Sequence, residues 1–343
     1  MIRLGVDAWN LPGDHRGIGR YLREILRVWW VRARERVEIT LIVPEWHTWT
    51  VRTRYRREVE SRGYRIVSRA WHGRANLDAL WFPFNGCSWT NFALPAAATL
   101  HDASNFVVPG YAPEARKIFE VGAARCRALV TDSHFAQGEL ARELHIAPER
   151  LMPIPLGVAP PRAAVPVSLE VAGLEPFVLY VGEAERRKGF DTLLEAMALV
   201  APQRPNLSLV ATTQLHGEFE IPPGVRVVEL GYVDDDTLAA LYRGCKLLAF
   251  PSRYEGFGLP VLEAMSYGAP VVASNSSSIP EAGGDAALYV APSEPSQLAA
   301  AIRKVTGDAE FAAELRRRGP PRAASFTWER TAARTLDVIE GML

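Results

Sequence analysis

The sequence predicts an α/β protein of two doubly wound domains in tandem, each a parallel sheet with helices on both faces. The chain has 343 residues, which is more than one hydrophobic core usually organises. Short and nearly continuous apolar segments alternate with helical periods, as expected for strands that are buried on both faces. A proline-rich stretch without a strong period, residues 157–176, interrupts this alternation and predicts an interdomain linker.

The part of the chain before the linker predicts six strands separated by amphipathic helices. The strands are IRLGVDA, VEITLIVP, YRIVSR, LDALWFPF, AAATLHD and ALVTDS. Helical periods include GRYLREILRVWW and SHFAQGELARELH, and Ser133 is a suitable N-cap for the second of these. We expect this part to form a first domain over residues 1–160.

After the linker the alternation restarts and predicts a second domain over residues 161–325. Its strands are FVLYVGE, LSLVATT, VRVVEL, KLLAFPS, APVVASN and ALYVAP, and its helices are FDTLLEAMALV, DDTLAALYRGC, LPVLEAMSYG and PSQLAAAIRKV. Residues 326–343 predict one more amphipathic helix, expected to pack back toward the first domain. Ligands of such sheets bind at the carboxyl ends of the strands, and two facing domains would form a cleft with the linker as hinge.

Composition narrows the class of protein. Hydrophobic residues make up 48% and charged residues 23% of the chain, which is ordinary for a soluble globular protein. No run of 18 apolar residues predicts a membrane span, and the N-terminus reads as a strand rather than a signal peptide. The three cysteines are far apart, odd in number and without zinc-site spacing, which favours a reducing cytoplasm over a disulfide scaffold.

The net charge is zero, but the charge is unevenly distributed. Residues 1–170 carry 23 Lys and Arg against 17 Asp and Glu, and the remainder carries 16 against 22. Most of the basic excess lies in runs such as VRARERV and VRTRYRREVE, with Trp46 and Trp49 close by. These runs fit either a solvated basic face or a surface for an anionic partner, such as a membrane or the phosphates of a lipid-linked acceptor.

The stretch RYEGFGLPVLEAM places Glu255 and Glu263 around a glycine loop that leads into a helix. Pro260 suits the first turn of that helix, which we expect to run to Gly268 with Glu263 in its first turn. The glycines let backbone N–H groups from Phe257 to Leu259 approach a phosphate at the helix N-terminus, while the carboxylates accept paired hydroxyls. The stretch thus fits a nucleotide sugar, and the alternative is a tight turn in which Glu263 only faces the helix dipole.

Three other motifs are candidates for chemistry. Arg187 and Lys188 precede the first helix of the second domain, where two cations could neutralise a diphosphate or form a solvated charge run. His101 ends an apolar strand, and it is either structural or exposed to a ligand at the sheet edge. Gly17 and Gly19, in DHRGIGRY, would let a loop approach a ligand, although the third glycine of a dinucleotide-binding fingerprint is missing.

The run Asp234-Asp235-Asp236 could be mistaken for a metal site. It directly precedes the helical period DTLAALY, so helix capping is the better interpretation. No Cys or His cluster predicts zinc.

Taken together, these segments resemble the retaining glycosyltransferase family 4, which has the GT-B fold of two Rossmann-like domains facing across a cleft. The resemblance spans nearly the whole chain, and E-G-F-G-L-P-V-L-E is similar to the E-x7-E motif of that family. Other matching segments are VDAWNLPGDHRGIGRY, ATLHDASN, SHFAQGEL, PLGV and the whole run from VDDDTLAALY to ALYVAP.

The resemblance implies roles for the site residues. Glu263 should bind the ribose hydroxyls, and Glu255 and His101 the donor sugar. The phosphates should meet Arg187 and Lys188, with Arg186 as a spare, although many relatives have Arg where this chain has Glu183. Further donor-binding positions are Gly256, Phe257, Gly258, Leu259, Val233, Gly17 and Gly19. Asp102 and Glu281 are expected to orient the sugar or meet the acceptor, and Asp102 is also the candidate to orient His101.

The resemblance also implies the reaction, for which we expect neither a metal nor another cofactor. We expect retaining transfer of a hexose, with mannose from GDP-mannose as first choice, to a saccharide or lipid-linked acceptor in polysaccharide or glycoconjugate assembly. Alternatives are a donor such as UDP-glucose or UDP-N-acetylglucosamine, a sugar-nucleotide epimerase with the same fold, or a non-enzymatic binding protein. A hydrolase with two carboxylates on one glycosidic bond is disfavoured, because a phosphate-binding loop separates Glu255 from Glu263. No nucleic acid partner is expected.

Overall fold

The computed structural model describes residues 1–11, 17–54, 63–162, 173–174, 176–215 and 217–343. Parts of the predicted linker, of the basic run VRTRYRREVE and of the loop DHRGIGRY lie outside these residues. The chain forms two compact units, Met1–Gly157 together with Thr327–Leu343, and Val158–Phe326.

The first unit is built on a parallel sheet of seven strands among the described residues. The strands are β1 (Ile2–Asp7), β2 (Val37–Val43), β3 (Arg65–Ser68), β4 (Ala79–Phe82), β5 (Ala96–Thr99), β6 (Ala128–Thr131) and β7 (Leu151–Pro153). Their order is β3-β2-β1-β4-β5-β6-β7, so the direction of winding reverses between β1 and β4. Strand β7 is only three residues long, which explains why periodicity did not predict it.

The helices of the first unit follow the strands in alternation. They are α1 (Gly17–Arg32), α2 (Glu45–Arg54), α3 (Ser104–Val107), α4 (Lys117–Arg125) and α5 (His134–Glu143). Short 3-10 helices cover Arg69–Arg74, Pro113–Arg116 and Pro148–Arg150. The predicted cap of α5 is confirmed, because the Ser133 side chain accepts a hydrogen bond from the Ala136 N–H at 3.0 Å.

The second unit has a parallel sheet of six strands in the described part of the chain. The strands are β8 (Phe177–Tyr180), β9 (Ser208–Ala211), β10 (Val227–Glu229), β11 (Leu247–Phe250), β12 (Val271–Ser274) and β13 (Leu288–Val290). The order is β10-β9-β8-β11-β12-β13, with the reversal between β8 and β11. Both sheets therefore confirm the predicted doubly wound class.

The second unit also holds most of the remaining helices. They are α6 (Phe190–Val200), α7 (Asp235–Gly244), α8 (Leu259–Ser266), α9 (Ile279–Gly283), α10 (Pro295–Gly307) and α11 (Ala309–Ala324), with a 3-10 helix at Gly284–Ala286. Helix α11 contains Pro320 and Pro321, which argue against a helix on sequence grounds. Hydrogen bonds to neighbouring segments stabilise the helix. Its Arg316 donates to the Gly268 carbonyl at 3.1 Å, and its Arg322 donates to the Ala282 carbonyl at 2.9 Å.

The last helix, α12 (Trp328–Gly341), belongs to the first unit. Its Ala332 carbonyl accepts from the indole N–H of Trp29 at 2.8 Å, and Arg36 pairs with Asp337 at 2.7 Å. Trp29 and Trp328 are each only 1% exposed, so the helix completes the core of this unit. Within the residues that are described, no helix is long and apolar enough to cross a membrane.

Candidate functional site

Three loops of the second unit meet at the reversal of its sheet. They follow β8, β11 and β12, which are neighbours in the order β8-β11-β12. The loop after β8 carries Arg187 and Lys188, and the loop after β11 carries Glu255. Because the carboxyl ends of neighbouring parallel strands share one edge, residues far apart in sequence come together there.

The loop with Arg187 and Lys188 is attached directly to the loop after β11. Gly189 has φ +69°, and a Cβ there would lie 2.2 Å from the Pro251 carbonyl oxygen, so only glycine fits. The Arg187 carbonyl accepts from the Arg253 N–H at 2.8 Å, and its guanidinium donates to the Tyr254 carbonyl at 3.1 Å. The two cations are therefore held on a braced turn rather than on a loose charge run.

Lys188 lies over the end of β8. A Cβ built on Gly182 would be 3.4 Å from the Lys188 Nζ, so the glycine leaves the ammonium room beside the backbone. The Arg187 side chain is 21% exposed and pairs with Glu185 at 3.1 Å, whereas that of Arg186 is 79% exposed. Of the three basic residues, Arg187 is therefore the most firmly positioned.

Arg253 is a structural anchor of the site that sequence reasoning did not single out. Its guanidinium donates to both carboxylate oxygens of Asp191 at 2.9 and 3.0 Å, and to the Thr192 hydroxyl at 3.0 Å. These contacts fasten the Glu255 loop to the first turn of α6. A fork-to-fork pair of this kind fixes orientation as well as distance.

Glu255 is held at its side chain and at both backbone groups. The Ser252 hydroxyl donates to the carboxylate Oε1 at 2.8 Å. The Glu255 N–H donates to the Ser277 hydroxyl oxygen at 3.0 Å, and the Ser278 hydroxyl donates to the Glu255 carbonyl at 2.8 Å. The carboxylate is thus oriented by residues of the β11 and β12 loops.

Helix α8 begins as predicted and ends earlier. Gly258 is its N-cap with φ +97°, and Pro260 lies in the first turn. The helix ends at Ser266 rather than Gly268, because Gly268 adopts φ +74°. Glu263 is the fifth helical residue, so it begins the second turn and does not lie in the first turn that we expected.

Glu263 faces α7 and is 9% exposed. Its carboxylate Oε2 accepts a hydrogen bond from the Tyr242 hydroxyl at 3.0 Å. Tyr242 is 1% exposed and stacks on Tyr267, with ring centroids 5.8 Å apart. A buried tyrosine therefore orients the second carboxylate, and no local sequence signal pointed to it.

The remaining candidate residues of the second unit are Asp234, Val233 and Glu281. The Asp234 side chain accepts from the Thr237 N–H at 2.8 Å, which confirms that the aspartate run caps α7. Val233, half-buried, lies directly before this cap. Glu281 lies on the short helix α9, and its carbonyl accepts from Arg322.

His101 lies in the first unit, buried at the end of β5. Its Nε2 contacts the Pro83 carbonyl at 2.9 Å, so that nitrogen carries a proton, and Nδ1 lies 2.9 Å from Asp132 Oδ2. Burial by itself would lower the pKa of His101, but the Asp132 carboxylate and its hydrogen bond raise it above the usual value. The imidazole is thus fixed in orientation at both nitrogens.

Asp132 was not a sequence candidate, whereas Asp102 was. The Asp102 carboxylate accepts from the Ser104 N–H at 2.8 Å and so shapes the turn after β5. The residue that hydrogen-bonds the His101 ring is Asp132, at the end of neighbouring β6. His101 and Asp132 therefore meet because their strands are neighbours in the sheet, and not because the residues are close in sequence.

The glycines of the first unit lie at the start of α1. Gly17 opens the helix with φ +47°, and a Cβ there would meet nothing within 4 Å. Gly19 is buried two residues further along. The Asp14–Arg16 part of the predicted loop lies outside the described residues.

A second buried acid lies at the end of β1. Asp7 is 2% exposed, accepts from the Ser88 hydroxyl, and lies 3.5 Å from the Arg69 guanidinium. Burial raises the pKa of Asp7 to about 6, although Ser88 and Arg69 oppose the shift. Throughout the described ranges, no group of three or more His, Cys, Asp or Glu is arranged to hold a metal ion.

Comparison with known proteins agrees with this architecture. The family model of glycosyl transferases group 1 matches residues 166–322. The O-antigen chain mannosyltransferase B of Escherichia coli is 32% identical over 273 residues, which cover 72% of this chain and 72% of that protein. The serotype-specific mannosyltransferase WbdA of Escherichia coli is 30% identical over 228 residues, which cover 61% of this chain but only 28% of WbdA.

The fold is shared with solved structures as well. A sucrose-phosphate synthase from Thermosynechococcus elongatus superposes with a TM-score of 0.73 at 21% identity, over 100% of this chain and 99% of that one. Two doubly wound parallel sheets with this likeness show the GT-B fold. The chain belongs to the glycosyl transferases group 1 family.

Proposed function

We propose that the protein transfers a hexose, with retention, from a nucleotide-diphosphate sugar to a saccharide or lipid-linked acceptor in cell-surface polysaccharide assembly. The observation that carries the proposal is the placement of Glu255 and Glu263 on either side of the N-terminus of α8, with Arg187 and Lys188 on the adjoining loop. GDP-mannose is the proposed donor. Both E. coli relatives named above are mannosyltransferases, which supports this choice.

The donor is proposed to bind along α8 in three parts. Glu263 accepts the two ribose hydroxyls, since a carboxylate has paired acceptor oxygens. The backbone N–H groups from Gly256 to Leu259, at the positive end of the helix, receive the diphosphate together with Arg187 and Lys188. Glu255 accepts hydroxyls of the sugar. Val233, before the cap of α7, is assigned to the base.

The chemical step breaks the bond between the anomeric carbon and the diphosphate. Negative charge develops on the leaving diphosphate, and Arg187 and Lys188 stabilise it most in the transition state. The acceptor hydroxyl attacks the face that the diphosphate leaves, forms the new glycosidic bond and passes its proton to the diphosphate. Glu255 contributes positioning and forms no covalent bond with the sugar.

The first unit is assigned a supporting role in this reaction. Both ring nitrogens of His101 are engaged by Asp132 and Pro83, so the imidazole serves as a fixed orienting group and not as a proton carrier. Gly17 and Gly19 are proposed to let the start of α1 approach the donor, and Asp102 and Glu281 to orient the sugar or acceptor. No metal is needed, because the two cations neutralise the diphosphate, and full activity in EDTA tests this point.

The proposal is tested by a thermal-shift screen of GDP, UDP, ADP and dTDP sugars, followed by product analysis. A ligand that binds the folded state raises the unfolding temperature by mass action. We expect GDP-mannose to give the largest shift and its sugar to appear on an acceptor with the anomeric configuration kept. Conversion of the donor without any acceptor would indicate an epimerase, and no shift with any donor would contradict enzymatic function.

We further propose that the first unit contacts an anionic membrane, where a lipid-linked acceptor would lie. Trp46 and Trp49 on α2 are 72% and 75% exposed, and Trp71 is 52% exposed with Arg74 stacked on its ring at 4.0 Å. Exposed tryptophans beside arginines suit the headgroup region of a membrane. Co-sedimentation with phosphatidylglycerol vesicles should fall in a Trp46→Ala/Trp49→Ala variant, but not in a Tyr232→Ala control, whose side chain is 65% exposed in the second unit. Equal binding to phosphatidylcholine vesicles would contradict the proposal.

A further inference from the structure

The stretch SNSSS begins at the last residue of β12 and continues into the following loop, and all four of its serines bind one short piece of backbone. This serine cluster consists of Ser274, Ser276, Ser277 and Ser278. The Ser274 hydroxyl donates to the Ser252 carbonyl, that of Ser276 to the Arg253 carbonyl at 2.6 Å, and that of Ser278 to the Glu255 carbonyl at 2.8 Å, while Ser277 accepts from the Glu255 N–H at 3.0 Å. The serine cluster therefore binds four backbone groups of segment 252–255, which belong to Ser252, Arg253 and Glu255.

The serine cluster connects the segments that follow β11 and β12 through hydrogen bonds between side chains and backbone. Strands β11 and β12 pair in register up to Phe250 and Ala273. Beyond Phe250 and Ala273 the two strands no longer pair with each other, and side-chain hydroxyls bind backbone groups of segment 252–255 in place of that pairing. The order of the sheet thus extends past its edge to Glu255, which is the residue proposed to hold the sugar.

Ser277 shows that this arrangement is not generic loop packing. It adopts φ +52°, a region that favours glycine. Glycine would relieve the strain but could not accept the Glu255 N–H, since it has no side-chain oxygen. An unfavourable backbone conformation that is kept together with its hydrogen bond points to a functional demand on Glu255.

We infer that the serine cluster is a positioning element that fixes Glu255 for the donor sugar before the donor binds. The inference rests on the proposed function of Glu255. Because Ser252 takes Oε1 of the carboxylate, Oε2 is assigned to the sugar hydroxyls. The cluster acts on the sugar end of the donor alone, since the nucleotide end is assigned to Glu263 on α8, which Tyr242 holds separately.

The test compares the bare nucleotide with the sugar-carrying donor. Ser277→Gly is the main variant, because glycine accepts φ +52° and folding is preserved, while the acceptor oxygen is lost. We expect kcat/KM for GDP-mannose to fall roughly tenfold to a hundredfold, as for small misplacements of a catalytic group. The dissociation constant of GDP, measured by calorimetry, should stay within about twofold of wild type. If the donor screen selects uridine donors, UDP and its sugar replace these probes.

Two controls separate positioning from general stability. Ser325→Ala removes a serine hydroxyl that donates to a backbone carbonyl at 2.7 Å at the end of α11, and it should leave both measurements unchanged. In a Glu255→Ala background, Ser277→Gly should cause little further loss of kcat/KM, because residues that act as a unit are not additive. Additive losses would overturn the inference.

The remaining outcomes are also decisive. If GDP affinity and donor turnover fall by the same factor in Ser277→Gly, the cluster supports the whole site and the inference is wrong. Unchanged turnover in a correctly folded variant would overturn it as well, and the proposed function would stand on the wild-type activity. If the wild-type protein binds neither GDP, UDP nor their sugars, the proposed function fails first and the inference falls with it.

Discussion

Removal of one hydroxyl group, in Tyr242→Phe, should separate the nucleotide end of the proposed donor site from its sugar end. The Tyr242 hydroxyl donates to Glu263 Oε2 at 3.0 Å, and the ring is 1% exposed against Tyr267. Phenylalanine keeps the ring and its stacking. Glu263, which is 9% exposed, then loses the hydrogen bond from the Tyr242 hydroxyl, so the orientation of its carboxylate is less constrained.

The size of the effect follows from the hydrogen bond. A bond to a charged group contributes about 1.5–3 kcal/mol, and the free protein loses part of that in stability. We expect about 1–1.5 kcal/mol to appear in ligand binding, which weakens it roughly fivefold to tenfold. Because Glu263 is assigned to the ribose, GDP and GDP-mannose should lose affinity by the same factor, with KM raised and kcat nearly unchanged.

The assay is calorimetric titration of GDP and 2′-deoxy-GDP into the wild-type and variant proteins. The loss caused by Tyr242→Phe should shrink with the deoxy ligand, because one of the hydroxyls that Glu263 accepts is missing. Tyr267→Phe is the matched control, since it removes a hydroxyl from the stacked ring, and that hydroxyl contacts the Arg162 N–H at 3.3 Å instead of Glu263. A GDP affinity within twofold of wild type, or a loss equal for both ligands, would refute the reasoning.

Three further predictions concern individual residues. Lys188→Ala should lower kcat by roughly a hundredfold with a smaller change in KM, while Glu263→Ala should mainly raise KM, and steady-state kinetics that leave both variants unimpaired would contradict the site. Gly189→Ala should destabilise the second unit by about 2 kcal/mol or more in urea denaturation, because its Cβ would lie 2.2 Å from the Pro251 carbonyl oxygen at φ +69°. Asp7 has a folded pKa of about 6 against 3.8, so the folded state binds the extra proton, and stability should fall by about 3 kcal/mol as pH rises from 4 to above 6. Asp7→Asn should flatten this fall in the pH dependence of the unfolding temperature, and an equally steep fall in the variant would be inconsistent with the raised pKa.

The sequence predicted the elements of the site better than their partners. Local signals were enough for the start of α8, since glycine at the cap and Pro260 in the first turn act within a few residues. The capping role of Asp234 was predicted on the same grounds. The doubly wound fold class was likewise predicted from the apolar strands, because a strand that is buried on both faces has a continuous hydrophobic sequence.

The hydrogen-bond partners of the site residues depend on which strands and helices become neighbours in space. This spatial arrangement could not be predicted from a single sequence. Ser277 lies 22 positions from Glu255, and Tyr242 lies 21 positions from Glu263. His101 and Asp132 are 31 apart, and they meet because β5 and β6 pair. The nearer Asp102 was the natural candidate along the chain, but its carboxylate is used by the turn.

The seven-residue interval between Glu255 and Glu263 follows from the geometry of the turn and helix. Three positions lead from Glu255 to the cap Gly258, and five more lead to Glu263 on the side of α8 that faces Tyr242. Each residue of an α-helix turns the side chain by about 100°, so one inserted residue between Pro260 and Glu263 would rotate the carboxylate away from the Tyr242 hydroxyl. Such an insertion should abolish GDP binding even though both glutamates and the serine cluster remain, whereas an alanine inserted after Gly217, in a loop where a Cβ on that glycine would meet no atom within 4 Å, should leave it intact. The interval therefore specifies a direction of the carboxylate, and the presence of two acidic residues alone does not make the site.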